Sequence, residues 1–368
     1  MTKNPPADHA PIASAEPIDR GALRAAFRQE EAACVADRLR ETQVFTRDHA
    51  AIQAYAVKLI QDARKRDVSG IDAFLHQYGL NTEEGIALMC LAEALLRVPD
   101  GRTADALIRD KIGEINWREH LNESDSTFVN AATFSLMLTG EVLERPEQTQ
   151  KAMGRTLRGA MNRLGEPVIR QATFQAMRIL GGQFVFGRSI NEALKRAGPE
   201  RARGLTHSFD MLGEAAMTFA DAERYRKAYL HAIERLKDES DGTISGSPGI
   251  SVKLTALYPK YDIFHAEKAK KALIPIVTEL AVRARDANIH FTIDAEEADR
   301  LELSLDIIEA LASDDSLFAR PDGTRWEGFG MAVQAYQKRG VPLCRWLIDL
   351  AEKYDRKFMV RLVKGAYW

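Results

Sequence analysis

The spacing of apolar and polar positions divides the chain into two parts near residue 200. From about residue 20 to 200, apolar residues recur at helical spacing. The clearest patterns lie at 46–66, 81–99, 127–143, 147–163 and 165–180. Within one of them, Asn81 can cap a helix with Glu84 three residues on, and Pro99 ends it. The sequence therefore predicts an all-helical region over residues 20–200.

Residues 1–19 are predicted to form a disordered leader. This stretch combines small residues with Pro5, Pro6, Pro11 and Pro17. Such a composition buries too little apolar surface to offset the entropy lost on ordering.

Short alternating runs, separated by longer helical patterns, replace the helical texture after about residue 204. The predicted strands lie at 207–215, 249–257, 290–297, 328–336 and 358–368, and the predicted helices between them include 265–287, 298–312 and 341–356. Strands that alternate with helices in this way are typical of βαβ units and a parallel sheet. We therefore expect an α/β fold in the second part of the chain.

Four of the predicted strands each carry one strongly polar side chain toward the carboxyl end. These side chains are Lys253, Asp294, Gln334 and Arg361, and the neighbouring positions are apolar. Strands of a parallel sheet are covered on both faces and should be apolar throughout, and active sites of α/β folds lie at strand carboxyl ends. The pattern predicts a functional site; the alternative is that these groups lie at exposed strand ends or form a structural salt bridge.

Composition narrows the class of protein. Hydrophobic residues make up 45% and charged residues 28% of the chain, and the net charge of -2 does not indicate a nucleic-acid-binding surface. The three cysteines, at positions 34, 90 and 344, form no C-x-x-C pair, which favours a reducing, cytoplasmic setting. No apolar run approaches the roughly 18 residues that span a bilayer.

The other motifs are weaker indications of a functional site. The histidines show no H-E-x-x-H arrangement, and DAEEAD at 294–299 fits a strand end followed by a helix start, so no metal site is predicted. GGQFVFGRS at 181–189 matches neither the dinucleotide fingerprint G-x-G-x-x-G nor the phosphate-binding fingerprint G-x-x-x-x-G-K-[ST]. VKGAYW at 363–368 combines a lysine, a glycine and two aromatic residues, which could hold a phosphate and stack a flat ring.

Ordered segments of the chain resemble the proline dehydrogenase region of the bacterial proline utilization A proteins. The segments are GIALMCLAEALLRVPD, IRDKI, FVNAATF, SFDMLGEAA, GISVKLTALYP, IDAEEADRLELSLD, QAYQKR and RLVKGAYW. The resemblance implies a helical N-terminal region followed by a (β/α)₈ barrel that binds FAD at the strand carboxyl ends. About five of the eight strands would lie in residues 201–368. The implied activity is oxidation of L-proline to Δ1-pyrroline-5-carboxylate, with electrons passed to membrane quinone.

The resemblance also implies roles for individual residues. Lys253 would hold the proline carboxylate, and Asp294 would organise the charges of the active site. Arg361 would lie near flavin N5, and Gln334 would also contact the flavin ring. The remaining implied cofactor contacts are Val363, Lys364, Gly365, Tyr367 and Trp368, and Asp210 in the first strand is a less certain neighbour of the site.

Family members continue past the G-A-Y-W segment. They carry the remaining barrel strands, a helix with paired arginines for the proline carboxylate and, in most members, an aldehyde dehydrogenase domain. We therefore interpret this chain as a fragment, inactive by itself. The resemblance also implies peripheral contact at the inner face of the membrane, and it leaves homo-oligomerisation open. Residues 1–45 lack the basic alternating strand of a ribbon-helix-helix, so DNA binding is not expected.

Two other functions remain open from the residues. A lysine near a carboxylate on adjacent strands could serve a Schiff-base aldolase, with Lys253 as the nucleophile. Alternatively, residues 20–200 could form a helical interaction or dimerisation module followed by a noncatalytic barrel remnant.

Overall fold

The computed structural model of this chain describes residues 17–42, 48–65, 103 and 185–365. Contacts divide the chain into one unit made of Met1–Val44 and Ala197–Trp368 and a second unit made of Phe45–Arg196. The predicted helical patterns at 81–99, 127–143, 147–163 and 165–180 lie outside the described residues, as do residues 1–16 of the predicted leader. The predicted domain boundaries at residues 20 and 200 remain predictions.

Helices make up the regular structure described before residue 202. They are α1 (Gly21–Phe27), α2 (Glu31–Glu41), α3 (His49–Arg64) and α4 (Ile190–Arg201). The helix α3 confirms the helical pattern predicted at 46–66. Across the described ranges, no helix combines the length and the apolar character needed to cross a lipid bilayer.

Strands and helices alternate after residue 207, as the sequence predicts. The elements are β1 (Ser208–Asp210), α5 (Phe219–Lys237), β2 (Gly249–Val252), α6 (Leu254–Leu257), α7 (Ala266–Asp286), β3 (His290–Ile293), α8 (Leu301–Ser313), α9 (Asp315–Phe318), β4 (Phe329–Gln334), α10 (Gly340–Tyr354) and β5 (Met359–Val363). Local signals set several ends. For example, Thr218 and Asp221 form a reciprocal capping box at the start of α5.

All five strands pair in parallel in the order β1-β2-β3-β4-β5. Each strand therefore lies beside the next one in the chain, as in a (β/α) barrel, whereas a doubly wound sheet reverses its strand order. The sheet curls into a half-barrel. This arrangement confirms the predicted fold class, a helical N-terminal region followed by part of a (β/α)₈ barrel.

The strands are shorter than the alternating patterns from which they were predicted. The strand predicted at 249–257 ends at Val252, and Leu254 already begins the short helix α6. Every residue of α6 is buried, so the alternation of residue types no longer marks two faces there. The strand predicted at 290–297 likewise ends at Ile293. The functional candidates Lys253 and Asp294 therefore lie just beyond their strands.

The two faces of the sheet differ in chemistry. One face carries large apolar side chains that are at most 2% exposed, namely Ile250, Val252, Phe291, Ile293, Phe329, Met331 and Val333. The alternate positions on the other face are small or polar, and they include Ser251, Thr292, Gly330, Ala332 and Gln334. The apolar face supplies the core between sheet and helices. The small and polar face supplies the candidate functional site.

Residues 17–31 pack against the outer helices of the same unit. Arg20 is 7% exposed and forms ion pairs with Asp306 and Glu309 of α8, at 2.6 and 3.0 Å. Its guanidinium carbon also lies 5.2 Å from the centre of the Trp346 ring in α10. The backbone amide of Ile18 donates a hydrogen bond to Glu309 at 2.9 Å. These contacts attach the chain before α1 to two helices that cover the sheet.

We expect Arg20→Ala to destabilise this unit by about 3–5 kcal/mol, because it leaves the poorly exposed Glu309 carboxylate without its main partner. Arg24→Ala is the matched control. Arg24 pairs with Glu302 of the same helix, but its side chain is 62% exposed, so the cost should stay below about 1 kcal/mol. Urea unfolding of both variants measures the difference. Equal losses would contradict the assigned role of Arg20.

Candidate functional site

Four charged side chains meet at the carboxyl ends of the strands. Lys253 forms ion pairs with Asp210 at the end of β1 and with Asp294 after β3, the latter at 3.3 Å between Nζ and Oδ2. Arg361 of β5 pairs with the other oxygen of Asp294. Two cations and two carboxylates thus form a neutral cluster, which we call the charged cluster. Such pairing lowers the cost of removing the charges from water.

The curl of the sheet brings this cluster together. Arg361 Nη1 donates a hydrogen bond to Ser251 Oγ at 2.7 Å, although β3 and β4 separate their strands. A contact across two intervening strands is feasible only on the concave side of the sheet. Arg361 pairs in register with Ala332, and Thr292 pairs with Ser251, so these positions share the inner face. The charged cluster therefore lies inside the half-barrel.

Burial differs sharply within the charged cluster. The side chains of Lys253 and Asp294 are 10% and 9% exposed, whereas those of Asp210 and Arg361 are 54% and 39% exposed. The inner pair is therefore shielded from solvent, and the outer pair is accessible to it.

Opposing effects act on the pKa of each buried group. Burial disfavours the Lys253 ammonium, but the hydrogen bond to Asp210 and the charges of Asp210 and Asp294 outweigh it, and the pKa of Lys253 rises. Burial raises the pKa of the Asp294 carboxyl, against the charges of Arg361 and Lys253. Lys253 is therefore a cation at neutral pH.

Gln334 lies on the same inner face but belongs to a different network. Its Nε2 donates to the backbone oxygens of Ala295 and Glu296, at 3.3 and 3.1 Å, and its Oε1 accepts from Gln337 at 2.6 Å. Gln337 in turn accepts from Arg339 at 2.6 Å. These bonds fix the orientation of the Gln334 amide. Asp294 contacts both Lys253 and Arg361, whereas the Gln334 side chain bonds to the backbone that follows Asp294.

The segment that follows β5 runs along the end of β4. The backbone oxygens of Val363 and Lys364 accept hydrogen bonds from Ala335 and Tyr336, at 2.8 and 2.9 Å. Gly365 has a φ of 85°, and a Cβ there would lie 2.6 Å from the Tyr336 ring. Only glycine combines this conformation with so close an approach. Tyr367 and Trp368 lie outside the described residues.

Sequence reasoning missed the contribution of Glu296. This carboxylate is 9% exposed, and it accepts hydrogen bonds from the Thr255 hydroxyl and from the Thr255 backbone amide, the latter at 3.2 Å. The DAEEAD motif was interpreted as a strand end and a helix start. The signal that could have identified Glu296 was its position two residues after Asp294. In an extended chain, side chains two residues apart point to the same side. Asp210, a less certain neighbour in the sequence, is a direct partner of Lys253.

Two family models match the chain. The model described as proline dehydrogenase matches residues 193–368, and the model described as the DNA-binding domain of proline dehydrogenase matches residues 70–184. Nearly all of the second match lies outside the described residues. Our expectation about DNA binding concerned residues 1–45, and it stays a prediction.

Curated relatives extend the match over almost the whole chain. The bifunctional protein PutA of Escherichia coli (strain K12) is 42% identical over 357 residues, which are 95% of this chain and 26% of that protein. The bifunctional protein PutA of Rhizobium meliloti is 44% identical over 369 residues, 99% of this chain and 29% of that protein. This chain therefore spans between a quarter and a third of the length of these relatives.

Solved structures give the same result for the fold. A variant of Bradyrhizobium japonicum proline utilization A is 42% identical, with a TM-score of 0.62, over 93% of this chain and 34% of that chain. A structure of proline utilization A with proline bound in remote sites is 39% identical, with a TM-score of 0.60, over 98% of this chain and 35% of that chain.

The resemblance found in the sequence is thereby confirmed. The two family models together match more than half of the chain, and the curated relatives match nearly all of it. This chain belongs to the proline utilization A family and corresponds to a portion that includes the match to proline dehydrogenase.

Proposed function

We propose that this chain supplies one half of the active site of an FAD-dependent proline dehydrogenase, which oxidises L-proline to Δ1-pyrroline-5-carboxylate. The observation that supports this proposal is the charged cluster on the concave face, at the strand ends where (β/α)₈ barrels bind their substrates. The match of residues 193–368 to the proline dehydrogenase model supports it independently. The reaction is the first step of proline catabolism to glutamate.

Lys253 is the group proposed to hold the proline carboxylate. Its ammonium has three N–H donors, and among the described residues its ion pairs are with Asp210 and Asp294. One donor therefore remains for a ligand carboxylate. Because Asp294 also binds Arg361, it fixes the distance between the two cations. This arrangement positions an amino acid without requiring the lysine to lose its proton.

The residues around Arg361 suit a flavin. FAD supplies the hydride acceptor, and the protein positions the substrate and stabilises charge. Arg361 is partly exposed and makes two side-chain hydrogen bonds with described residues, so part of its five-donor guanidinium can face a ligand. A cation at this place stabilises the negative charge of a reduced flavin ring. We also assign cofactor contacts to Gln334, Val363, Lys364, Gly365, Tyr367 and Trp368.

Gly365 gives a structural test of this fit. Its backbone lies against Tyr336 at a position that no larger residue could occupy without strain, and it adjoins the fixed amide of Gln334. Glycine permits this close approach, so Gly365, Tyr336 and Gln334 form a continuous surface on which a flat ring could lie. The donor set and this surface fit a flavin.

The partners of the whole protein are proposals of the same kind. We infer that electrons pass from the flavin to a membrane quinone, through peripheral contact of a cytoplasmic protein with the inner membrane face. The curated relatives are named bifunctional. An aldehyde dehydrogenase domain in the full-length protein would supply the second function.

The charge state of Lys253 disfavours the alternative Schiff-base aldolase. An amine nucleophile needs a lowered pKa so that it loses its proton near neutral pH. Burial acts in that direction on Lys253, but the pairing with Asp210 and Asp294 raises its pKa instead. The protonated amine has no lone pair with which to attack a carbonyl.

We expect Lys253→Met to lower kcat/KM for proline by about 30-fold or more in a protein with a complete barrel, because it removes a buried cation and leaves Asp294 with one cation fewer. Lys270→Met is the matched control. Lys270 also pairs with two carboxylates, Glu267 and Asp306, but it lies on the outer helix α7. Steady-state kinetics of the two variants measure the two losses in kcat/KM. Similar losses in both would refute the assignment of Lys253.

The 368-residue chain expressed by itself should neither bind FAD tightly nor oxidise proline. The five strands in the described part of the chain cannot close an eight-stranded barrel, so their concave face lacks an opposing wall. Flavin absorbance of the purified chain, with and without proline, measures both properties. The control is the same chain extended through the further strands of the full-length protein. A complete flavin spectrum that proline bleaches in the short chain would contradict this expectation.

Glu296 should make the stability of this unit fall as the pH rises. Burial raises the pKa of its carboxyl to about 7 from the ordinary 4.5, against the hydrogen bonds from Thr255. Between these values the folded protein retains a proton that the unfolded chain has released. Stability due to this group is therefore full below about pH 4.5 and is lost as the pH rises through 7.

Replacement by glutamine should remove this pH dependence. Relative to wild type, Glu296→Gln should gain on the order of 3 kcal/mol in free energy of unfolding between pH 4.5 and pH 8, with most of the gain below pH 7. Urea unfolding at several pH values measures the difference. A difference between variant and wild type that stays constant over this range would show that Glu296 titrates normally.

A further inference from the structure

A chain of hydrogen bonds joins the loops that follow the first three strands. Thr255 lies at its centre. The backbone oxygen of Thr255 accepts from the amide of Ala216 at 2.9 Å, and its hydroxyl oxygen accepts from the amide of Ala215 at 3.1 Å. On the other side, the hydroxyl and the amide of Thr255 both donate to Glu296. Thr255 thus attaches the loop after β1 to Glu296 in the segment that follows β3.

The loop after β1, residues 211–218, has a backbone that needs such support. Ala215 has a φ of 51°, which non-glycine residues seldom adopt. Gly213 has a φ of 130°, and a Cβ there would lie 2.2 Å from the Tyr225 ring. Strained conformations persist only where the surrounding contacts determine them. Here those contacts include the two hydrogen bonds to Thr255, one of them made by the strained residue itself.

The position of this loop connects it to the charged cluster. The loop begins directly after Asp210, the half-exposed partner of Lys253. The ring of Phe219, just past the loop, contacts that of Tyr258 with centroids 5.6 Å apart. Residues 211–218 therefore lie between Asp210 and Phe219, and both of these contact residues that follow β2. The loop therefore starts beside the Asp210–Lys253 ion pair.

The Glu296 carboxylate is well suited to orient Thr255. It is 9% exposed, and its two oxygens bind two different groups of the same residue. A bidentate acceptor of this kind fixes both the backbone and the χ1 rotamer of the threonine. The hydroxyl proton then points toward Glu296, which leaves the oxygen lone pairs for the amide of Ala215. The direction of each bond in the chain follows from the carboxylate.

We propose that Glu296 is a positioning residue that acts through Thr255 to hold residues 211–218 in one conformation beside the Asp210–Lys253 ion pair. For the role of this loop in binding an amino acid, the inference rests on the proposed function. For the mechanical link between Glu296 and the loop, it rests on the contacts alone. The two parts can be tested separately.

The first experiment measures amide hydrogen exchange of residues 211–218 in the full-length protein without substrate. In Thr255→Val, which keeps the shape but removes the hydroxyl, exchange at Ala215 should accelerate by about 5- to 30-fold. Thr255→Ser retains the hydroxyl and should restore slow exchange. Glu296→Ala should accelerate exchange in the loop although it contacts none of the loop residues by a hydrogen bond, and Glu296→Gln should restore most of the protection.

Glu297→Gln is the matched control. Glu297 is adjacent in sequence, but it pairs with Arg300 and its side chain is 39% exposed. Its replacement should leave exchange in the loop unchanged. The link is refuted if exchange at 211–218 in Glu296→Ala equals that of wild type, or if Glu297→Gln accelerates it as strongly. Thr255→Val tests the same link without removing a buried charge, so a folding defect in Glu296→Ala leaves the test decisive.

The second experiment measures proline kinetics of the same variants. A loosened loop should raise KM for proline by about 5- to 30-fold in Thr255→Val and Glu296→Ala, with a smaller change in kcat, and Thr255→Ser should recover the wild-type KM. If exchange is faster in the variants but the wild-type protein does not oxidise proline, the proposed function is refuted. The mechanical link between Glu296 and the loop is then retained. Normal oxidation with unchanged KM in both variants would refute the role of the loop in binding.

Discussion

The structure depends on how a parallel sheet can hold two cations and two carboxylates together and bury one pair of them, Lys253 and Asp294. Removing a single charged group from water costs several kcal/mol, and a buried ion pair repays that cost only with good geometry and further hydrogen bonds. Lys253 and Asp294 meet this requirement because Asp210 pairs with Lys253 and Arg361 pairs with Asp294. Ser251 in turn accepts a hydrogen bond from Arg361. None of these partners lies on the same strand as another. The charged cluster can therefore exist only in a curled sheet whose strands follow one another in sequence.

The same constraint explains why the two faces of the sheet differ. The outer face carries large apolar residues against helices α5, α7 and α10, and this packing holds the strands in register. The inner face carries small residues such as Gly330 and Ala332, which leave space for the long side chains of Lys253 and Arg361. The N-terminal segment reinforces the outer layer, because Arg20 joins α8 and α10 from outside. The outer face of the sheet thus contributes the packing that stabilises the fold, and the inner face carries the charged cluster.

Prediction from the sequence succeeded where a local pattern reports directly on the environment. The alternation of apolar and polar positions located the segments that form β2 and β3, and the strand–helix spacing identified a parallel sheet. It overestimated strand length, since Leu254–Leu257 is buried on all sides and continues an apolar pattern after pairing has ended. It also passed over Glu296, because a carboxylate next to Glu297 and Asp299 looks like an exposed helix start. Burial of that group comes from Thr255, which is distant in sequence.

The sequence by itself determined the alternation of strands and longer helices after residue 204, the parallel sheet that this alternation implies, and the family to which the chain belongs. Periodicity and motif order are properties of neighbouring residues, so they can be read without coordinates. Only the tertiary structure decided which polar groups meet. It joined Arg361 to Ser251 and Asp294 across intervening strands, directed Gln334 to backbone oxygens beside the charged cluster, and linked Glu296 through Thr255 to the loop after β1. These contacts depend on the curvature of the sheet and on distances between strands, which no local pattern encodes.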